Sequence, residues 1–189
     1  AMKEFRQYTM NDRIAWSIIS IPTGDWSQKI FPGLEAEEAK EKLWEQIFKI
    51  VRVDQDDPIK AWDEHNQTLK NAHAILNEKK YKALIFKAPG TDITFGLPEG
   101  HIWKGGGAYT TDGLHFNPNM PTEEVFTVPH KYEVNGVVSN TKPLVYNGNT
   151  IDNFSLTFKD GKVVDFTAEQ GYETLKNLLE TDEGAKRLG

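Results

Sequence analysis

The chain has 189 residues, a formal net charge of −6 at pH 7 and 38% hydrophobic residues, which is typical of a folded globular protein. Lysine and arginine residues are scattered among acids, so no basic stripe could neutralise a run of phosphates, and we expect no nucleic-acid partner. The chain has no cysteine, which excludes disulfides, thiolate nucleophiles and cysteine-based metal sites. No apolar run approaches the roughly eighteen residues that cross a bilayer, so we expect no membrane partner and a cytoplasmic location.

The first half of the chain combines short apolar runs with helical patterns. Residues 14–21 form an apolar, β-branched run that suits a buried strand. Residues 35–51 carry apolar side chains at helical spacing, which predicts an amphipathic helix. Asp57 and Pro58 then provide a start signal for a second helix, which we expect to reach about Lys79.

Strand patterns dominate the rest of the chain. Residues 82–87 predict another buried strand, and residues 92–97 predict a strand that pairs back on it through a turn. Asp160-Gly161 is a hairpin signal, and the chain returns to a helical pattern from about residue 170. Four further short alternating runs predict a mostly antiparallel arrangement: 124–128, 134–139, 151–158 and 162–168. The sequence therefore predicts a mixed α/β fold.

The triple glycine at residues 105–107 suggests a phosphate-binding loop, but its surroundings do not support that function. The loop lacks the spacing of a Walker motif, and no helical periodicity follows it. We expect a loop that needs the backbone freedom of glycine or its close approach to a neighbouring segment.

The histidines do not form a recognisable metal motif. His65 and His73 are eight residues apart on the predicted second helix, whereas two helical ligands of one ion are usually three or four apart. His101, His115 and His130 lie in predicted loops, where a metal ligand could be gathered from separate segments. Without a partner motif, a structural role is expected for each of them.

Two adjacent acids, Glu123 and Glu124, precede an alternating apolar run. Neighbouring side chains of a strand point to opposite faces, so one carboxylate is expected to face inward. An inward carboxylate is costly unless it is protonated, paired or bound to a cation. The simpler interpretation is that both acids are solvated and guard a strand edge against pairing with other chains.

Four stretches resemble, in order, the aminopeptidase T and aminopeptidase S group of dinuclear-metal aminopeptidases. These stretches cover the chain from near its beginning to its end, and the gaps between them are unbroken. They are TMNDRIAWSIISIPT (9–23), GTDITFGLPEGHIWKGGG (90–107), GLHFNPNMPTEEVFTVPH (113–130) and LLETDEGAKRLG (178–189).

The resemblance implies a homodimeric enzyme that hydrolyses N-terminal residues from peptides with two divalent ions, typically Co²⁺ or Zn²⁺. In that family a glutamate of the Pro-Thr-Glu-Glu-Val motif is the first metal ligand, which corresponds here to Glu124, with Glu123 as its neighbour. Cations would then stabilise the enclosed carboxylate of Glu124. The paired ions would polarise the scissile carbonyl and lower the pKa of a bound water.

The other ligands of the family would lie beyond the last residue of this chain. We therefore expect an internal portion of a longer enzyme, with no catalytic residue in this chain, no metal bound by it alone and no activity by itself. On this interpretation residues 1–100 form the C-terminal part of an N-terminal α/β domain. Residues 101–189 form the first, largely antiparallel β part of the catalytic domain.

Two other functions are compatible with parts of the sequence. The chain could be a self-contained, non-enzymatic binding module that uses the glycine-rich loop with Trp103 and Tyr109 as its contact surface. A hydrolase with Glu123 and Glu124 as an acid/base pair is disfavoured, because adjacent strand residues diverge and cannot flank one bond.

Overall fold

The computed structural model describes residues 2–188. Its helices are Met2–Met10 (α1), Gly24–Ile30 (α2), Ala36–Ile50 (α3), Pro58–Lys79 (α4) and Tyr172–Leu179 (α5). Its strands are Ile18–Ile19 (β1), Ala83–Ala88 (β2), Thr91–Gly96 (β3), Lys104–Gly105 (β4), Ala108–Tyr109 (β5), His115–Phe116 (β6), Asn119–Met120 (β7), Val125–Phe126 (β8), Val134–Ser139 (β9), Leu144–Tyr146 (β10), Asn149–Lys159 (β11) and Lys162–Gln170 (β12). The predicted mixed α/β class is confirmed.

The chain divides into two compact units. The first comprises Ala1–Ile75 and Trp103–Phe126, and the second comprises Leu76–Ile102 and Thr127–Gly189. The division between residues 1–100 and 101–189, which was expected for domains of a longer enzyme, stays a prediction about that enzyme.

The first unit has its core along α3. The helix forms there because Ala39, Leu43 and Ile47 recur every fourth residue and make one buried stripe. Leu43 and Ile47 form a core cluster with Val51, which follows the helix. Four partly buried hydrophobic residues pack against this cluster: Trp26, Phe31, Trp44 and Met120. The two predicted helices, over 35–51 and from Pro58, are confirmed as α3 and α4.

The second unit is built on a six-stranded sheet in the order β10-β11-β9-β3-β2, with β12 paired to β11. The predicted hairpin at Asp160-Gly161 joins β11 and β12, and β2 and β3 pair antiparallel as expected. Leu175 and Leu179 of α5 are buried in the core of this sheet. The core is completed by five buried strand residues: Ile93, Val134, Ile151, Phe158 and Val163.

Two predictions about buried strands were wrong. Within residues 14–21 only Ile18–Ile19 is a strand, and both side chains are exposed. In β2 most side chains are exposed, because this strand lies at the edge of the sheet. An apolar run indicates that a strand can be buried. Whether it is buried depends on side chains from other parts of the sequence that pack against it.

The C-terminal helix is shorter than the pattern from residue 170 suggested. Helix α5 ends at Leu179, and the following residues form turns. The Asp182 carboxylate accepts hydrogen bonds from the backbone N–H groups of Gly184 and Ala185, both at 2.8 Å. Such local bonds compete with helical ones, so the acidic stretch leaves the helix.

No helix within residues 2–188 is both long and apolar enough to cross a membrane. The longest, α4, has 22 residues but carries polar and charged side chains along its length.

The core of the sheet gives a direct test of the fold. Ile93 on β3 is 1% exposed, and Ile85 on the neighbouring β2 is 64% exposed. We expect Ile93→Ala to lower the free energy of unfolding by about 2–5 kcal/mol, because it leaves a cavity. The matched control, Ile85→Ala, should change it by less than about 0.5 kcal/mol. Urea denaturation of both variants measures the difference, and equal losses would contradict the burial of Ile93 and the exposure of Ile85.

Candidate metal-ligand segment

The segment that carries the two glutamates lies immediately before β8. Val125 and Phe126 pair antiparallel with Gly105 and Lys104 of β4. Glu123 and Glu124 therefore precede the strand instead of beginning it. The expectation that strand alternation would turn one of them inward was wrong, because the strand is only two residues long.

Glu123 forms an ion pair with Arg52. The Arg52 Nη1 atom lies 2.9 Å from Glu123 Oε1, and Nη2 donates to Oε2 at 3.2 Å, so the contact is bidentate. The Glu123 side chain is 57% exposed and that of Arg52 is 24% exposed. The guanidinium is thus the cation that neutralises this carboxylate, and a planar fork holds it in one orientation.

His65 of α4 fixes the residue before Glu123. Its Nε2 atom lies 2.6 Å from the Thr122 carbonyl oxygen, and its Nδ1 atom lies 3.2 Å from Arg52 Nη2. An arginine can only donate, so Nδ1 must accept, and the ring proton is on Nε2, where it is donated to the carbonyl. His65 therefore has a structural role in a chain of hydrogen bonds. Among the described residues, His65 and His73 do not belong to a common metal site.

Arg52 reaches this position because of the turn that ends α3. Its φ angle is +58°, in the left-handed region that commonly follows a helix. Its guanidinium carbon lies 5.5 Å from the centre of the Trp62 ring, and Trp62 Nε1 donates to the Val51 carbonyl at 2.7 Å. The cation–π contact and the hydrogen bond place Arg52 between α4 and the glutamate segment.

Glu124, the residue implied as a metal ligand, is exposed. Its side chain forms no hydrogen bond or ion pair with any residue from 2 to 188. The enclosed setting that we expected for this carboxylate is not observed in the chain. Water is therefore what stabilises it here, whereas Arg52 stabilises its neighbour.

The described part of the chain does not provide a complete metal site. No group of three or more histidine, aspartate or glutamate side chains within residues 2–188 is arranged to hold an ion. Zinc sites normally use three or four protein ligands, so Glu124 alone does not fit a resident ion.

The loop histidines have local contacts, as expected. His101 Nδ1 lies 2.9 Å from the Pro98 carbonyl, and His115 Nε2 lies 3.3 Å from the Gly106 carbonyl. His130 Nδ1 accepts from the backbone N–H of Tyr132 at 3.3 Å. These contacts support structural roles.

The glycine loop makes the close approach that its sequence suggested. Gly106 has a φ angle of +74°, and a Cβ added to it would lie 2.7 Å from the Asn66 carbonyl and 3.0 Å from Lys70 Cγ. The loop therefore runs directly against α4, and only glycine fits. Of the two aromatic residues in the predicted contact surface of this loop, Trp103 is buried and Tyr109 is exposed.

No pattern in the sequence indicates the contact between Arg52 and Glu123. The two residues are 71 positions apart, so neither helical nor strand spacing relates them. Only the acidic pair itself drew attention to this segment.

Comparison with known proteins places the chain in a class of metal-dependent proteases. A family model described as thermophilic metalloprotease (M29) matches residues 1–189. The chain belongs to this family.

Relatives and a solved structure agree with that assignment. The chain is 61% identical over its whole length to aminopeptidase 2 of Geobacillus stearothermophilus and 49% identical to aminopeptidase AmpS of Bacillus subtilis, covering 46% of each. The solved structure of AmpT from Thermus thermophilus matches 97% of the chain with a TM-score of 0.88 and 42% identity, over 45% of that protein. The chain thus spans about half the length of the relatives it matches.

The ion pair of Glu123 gives a pH-dependent test. The hydrogen bond from Arg52 holds the pKa of the Glu123 carboxyl below its ordinary value of 4.5; partial burial opposes this effect, and the positive charge of Arg52 adds to it. Because the folded-state pKa is lowered, the stabilisation is complete above about pH 4.5 and is lost as the pH falls through the folded-state value.

We expect Glu123→Gln to lower the free energy of unfolding at pH 7 by less than about 1 kcal/mol, since the pair is largely exposed. The difference from wild type should shrink as the pH is lowered below 4.5. Urea denaturation at several pH values measures it, with Glu124→Gln as the matched control that should change little. A difference that persists unchanged at acid pH would contradict the ion pair as its source.

Proposed function

We propose that the chain is a portion of a metal-dependent aminopeptidase that hydrolyses N-terminal residues from peptides. The observation that carries this proposal is the family match across residues 1–189, together with relatives named as aminopeptidases at up to 61% identity. We propose peptides as the substrates because those relatives are named as aminopeptidases.

The proposed contribution of this chain is the carboxylate of Glu124 as one metal ligand. Two observations support its selection over Glu123. Glu124 is exposed and has no cationic partner among the described residues, whereas Glu123 is engaged by Arg52 in a bidentate pair. A carboxylate without an internal partner can bind an ion without first breaking an ion pair.

The remaining ligands and the general base are proposed to lie in the part of the relatives that this chain does not cover. The described residues supply one donor, so no catalytic step is assigned to them. The ion is proposed to be Co²⁺ or Zn²⁺, the full-length enzyme a homodimer and its location cytoplasmic. In that enzyme, residues 1–100 would end an N-terminal domain and residues 101–189 would begin the catalytic one.

The first test uses the 189-residue chain itself. We expect no stoichiometric uptake of Zn²⁺ or Co²⁺, because one carboxylate cannot replace the three or four ligands of a metal site. Isothermal titration calorimetry with each ion measures binding, and Glu124→Ala should give the same trace as wild type. Uptake of one or more ions per chain that Glu124→Ala abolishes would show that the chain holds a complete site.

The second test uses the full-length protein. We expect Glu124→Gln to lower metal affinity by more than the roughly 10–100-fold that is usual for residues that merely support a ligand, and to lower peptide hydrolysis with it. Bound metal is measured by elemental analysis after dialysis against defined free-metal concentrations.

A control variant separates loss of a ligand from loss of negative charge. Glu45→Gln on the exposed face of α3 removes the same charge away from the segment. It should leave both metal content and hydrolysis unchanged. Normal metal content in Glu124→Gln would remove Glu124 from the site, although the aminopeptidase assignment could stand on the other ligands.

A further inference from the structure

A cavity of about 630 Å³ lies between α4 and the glycine loop in the first unit. Its volume is within the range of roughly 300–1,000 Å³ that is usual for small-molecule sites. The walls are formed by α4 on one side and by residues 103–109 on the other. The aromatic rings of Trp103 and Tyr109 belong to the second wall, so part of the surface is apolar.

The charge of this cavity differs from that of the chain. Lys70 and Lys104 line it, and Asp12 is the one acid among its lining residues. Neither lysine forms an ion pair with any residue from 2 to 188. The chain as a whole carries a net charge of −6 and therefore repels anions on average. The two unpaired ammonium groups of this cavity make it a local region that attracts an anion.

Further polar groups line the same cavity. Lys70 Nζ lies 3.4 Å from the Tyr109 hydroxyl, which holds the ammonium group beside the ring. Asn71 accepts from Gln67 at 2.8 Å, which leaves its own amide N–H groups without a partner among the described residues. The Nδ1 atom of His73 is buried and has no hydrogen-bond partner within residues 2–188. These groups suit a ligand that carries a carboxylate and a polar backbone.

The cavity adjoins the segment of the proposed metal ligand. Lys104 and Gly105, which line the cavity, pair with Phe126 and Val125 of β8. A Cβ added to Gly105 would lie 2.7 Å from the Glu124 carbonyl oxygen. One short β-ladder therefore joins the wall of the cavity to the strand that directly follows the residue that we propose as a ligand.

We propose that this cavity binds the free C-terminal carboxylate of a short peptide, with Lys70 and Lys104 as its cationic partners. The inference rests on the proposed peptidase function, from which the peptide is taken, and it names the class of substrate as short peptides with an unblocked C-terminus. Trp103 and Tyr109 contact the apolar part of such a peptide, and Asn71 and His73 bond its amide groups.

The test measures binding, without turnover, to the 189-residue chain. Acetyl-Ala-Ala, which has a blocked N-terminus and a free carboxylate, is compared with acetyl-Ala-Ala-amide and with inorganic phosphate by ¹H–¹⁵N NMR titration. We expect the free acid to perturb residues of the cavity and to bind roughly tenfold more tightly than the amide, since loss of a charged hydrogen-bond partner has about that effect.

Lysine variants localise the effect. Lys70→Met and Lys104→Met should each weaken binding of the free acid by roughly tenfold, and Lys70→Arg should retain it. Lys60→Met is the matched control, because Lys60 is exposed on the same helix and does not line the cavity. Thermal unfolding checks that each variant is folded; if Lys70→Met is not, the exposed Lys104 provides the same test.

Several results would overturn the proposal. They are equal affinity for acid and amide, phosphate binding as tightly as the peptide, and an equal loss in Lys60→Met. Equal affinity for acid and amide would show that the carboxylate of the peptide is not recognised. Tight phosphate binding would indicate a general anion site, and an equal loss in Lys60→Met would indicate nonspecific electrostatic attraction. Failure of the proposed function is distinguishable, because it would appear as a full-length protein that does not hydrolyse peptides, whatever the chain binds.

Discussion

The bidentate pair between Arg52 and Glu123 is the interaction on which the candidate site depends. It joins the turn after α3 to a stretch that has no regular secondary structure of its own. His65 holds the adjacent Thr122 carbonyl, so two successive residues of that stretch are fixed from α3 and α4. Each contact alone contributes little at an exposed position. Together they set the direction in which the backbone enters β8, and with it the position of Glu124.

The two neighbouring glutamates have different environments and therefore different chemistry. The carboxylate of Glu123 is already neutralised, so an incoming cation would compete with a guanidinium that is held by Trp62 and His65. The carboxylate of Glu124 has only water to displace. Two adjacent acids can thus have different roles. One holds the backbone in place through an ion pair, and the carboxylate of the next is free to bind a metal ion.

Much of the fold was predictable because its signals are local. The apolar spacing before Ile50, the Asp57-Pro58 start and the Asp160-Gly161 turn each act over a few residues, and each gave the expected element. Burial was less predictable, as the exposed Ile18 shows, since it depends on which distant residues cover a strand. For the candidate site, the motif drew attention to the segment of Glu123 and Glu124, and the role of Glu124 stays a prediction. The role of Arg52 could not be read from spacing, because a contact across 71 positions leaves no periodic pattern.

The close contact at Gly106 has an evolutionary consequence. The clearance between this residue and α4 is smaller than a methyl group, and its backbone is in a conformation that side chains resist. Two independent obstacles therefore oppose substitution of Gly106: the lack of room for a Cβ atom and the positive φ angle. A second mutation that relieved one obstacle would leave the other, so replacing Gly106 by another amino acid would require two compensating changes elsewhere in the chain.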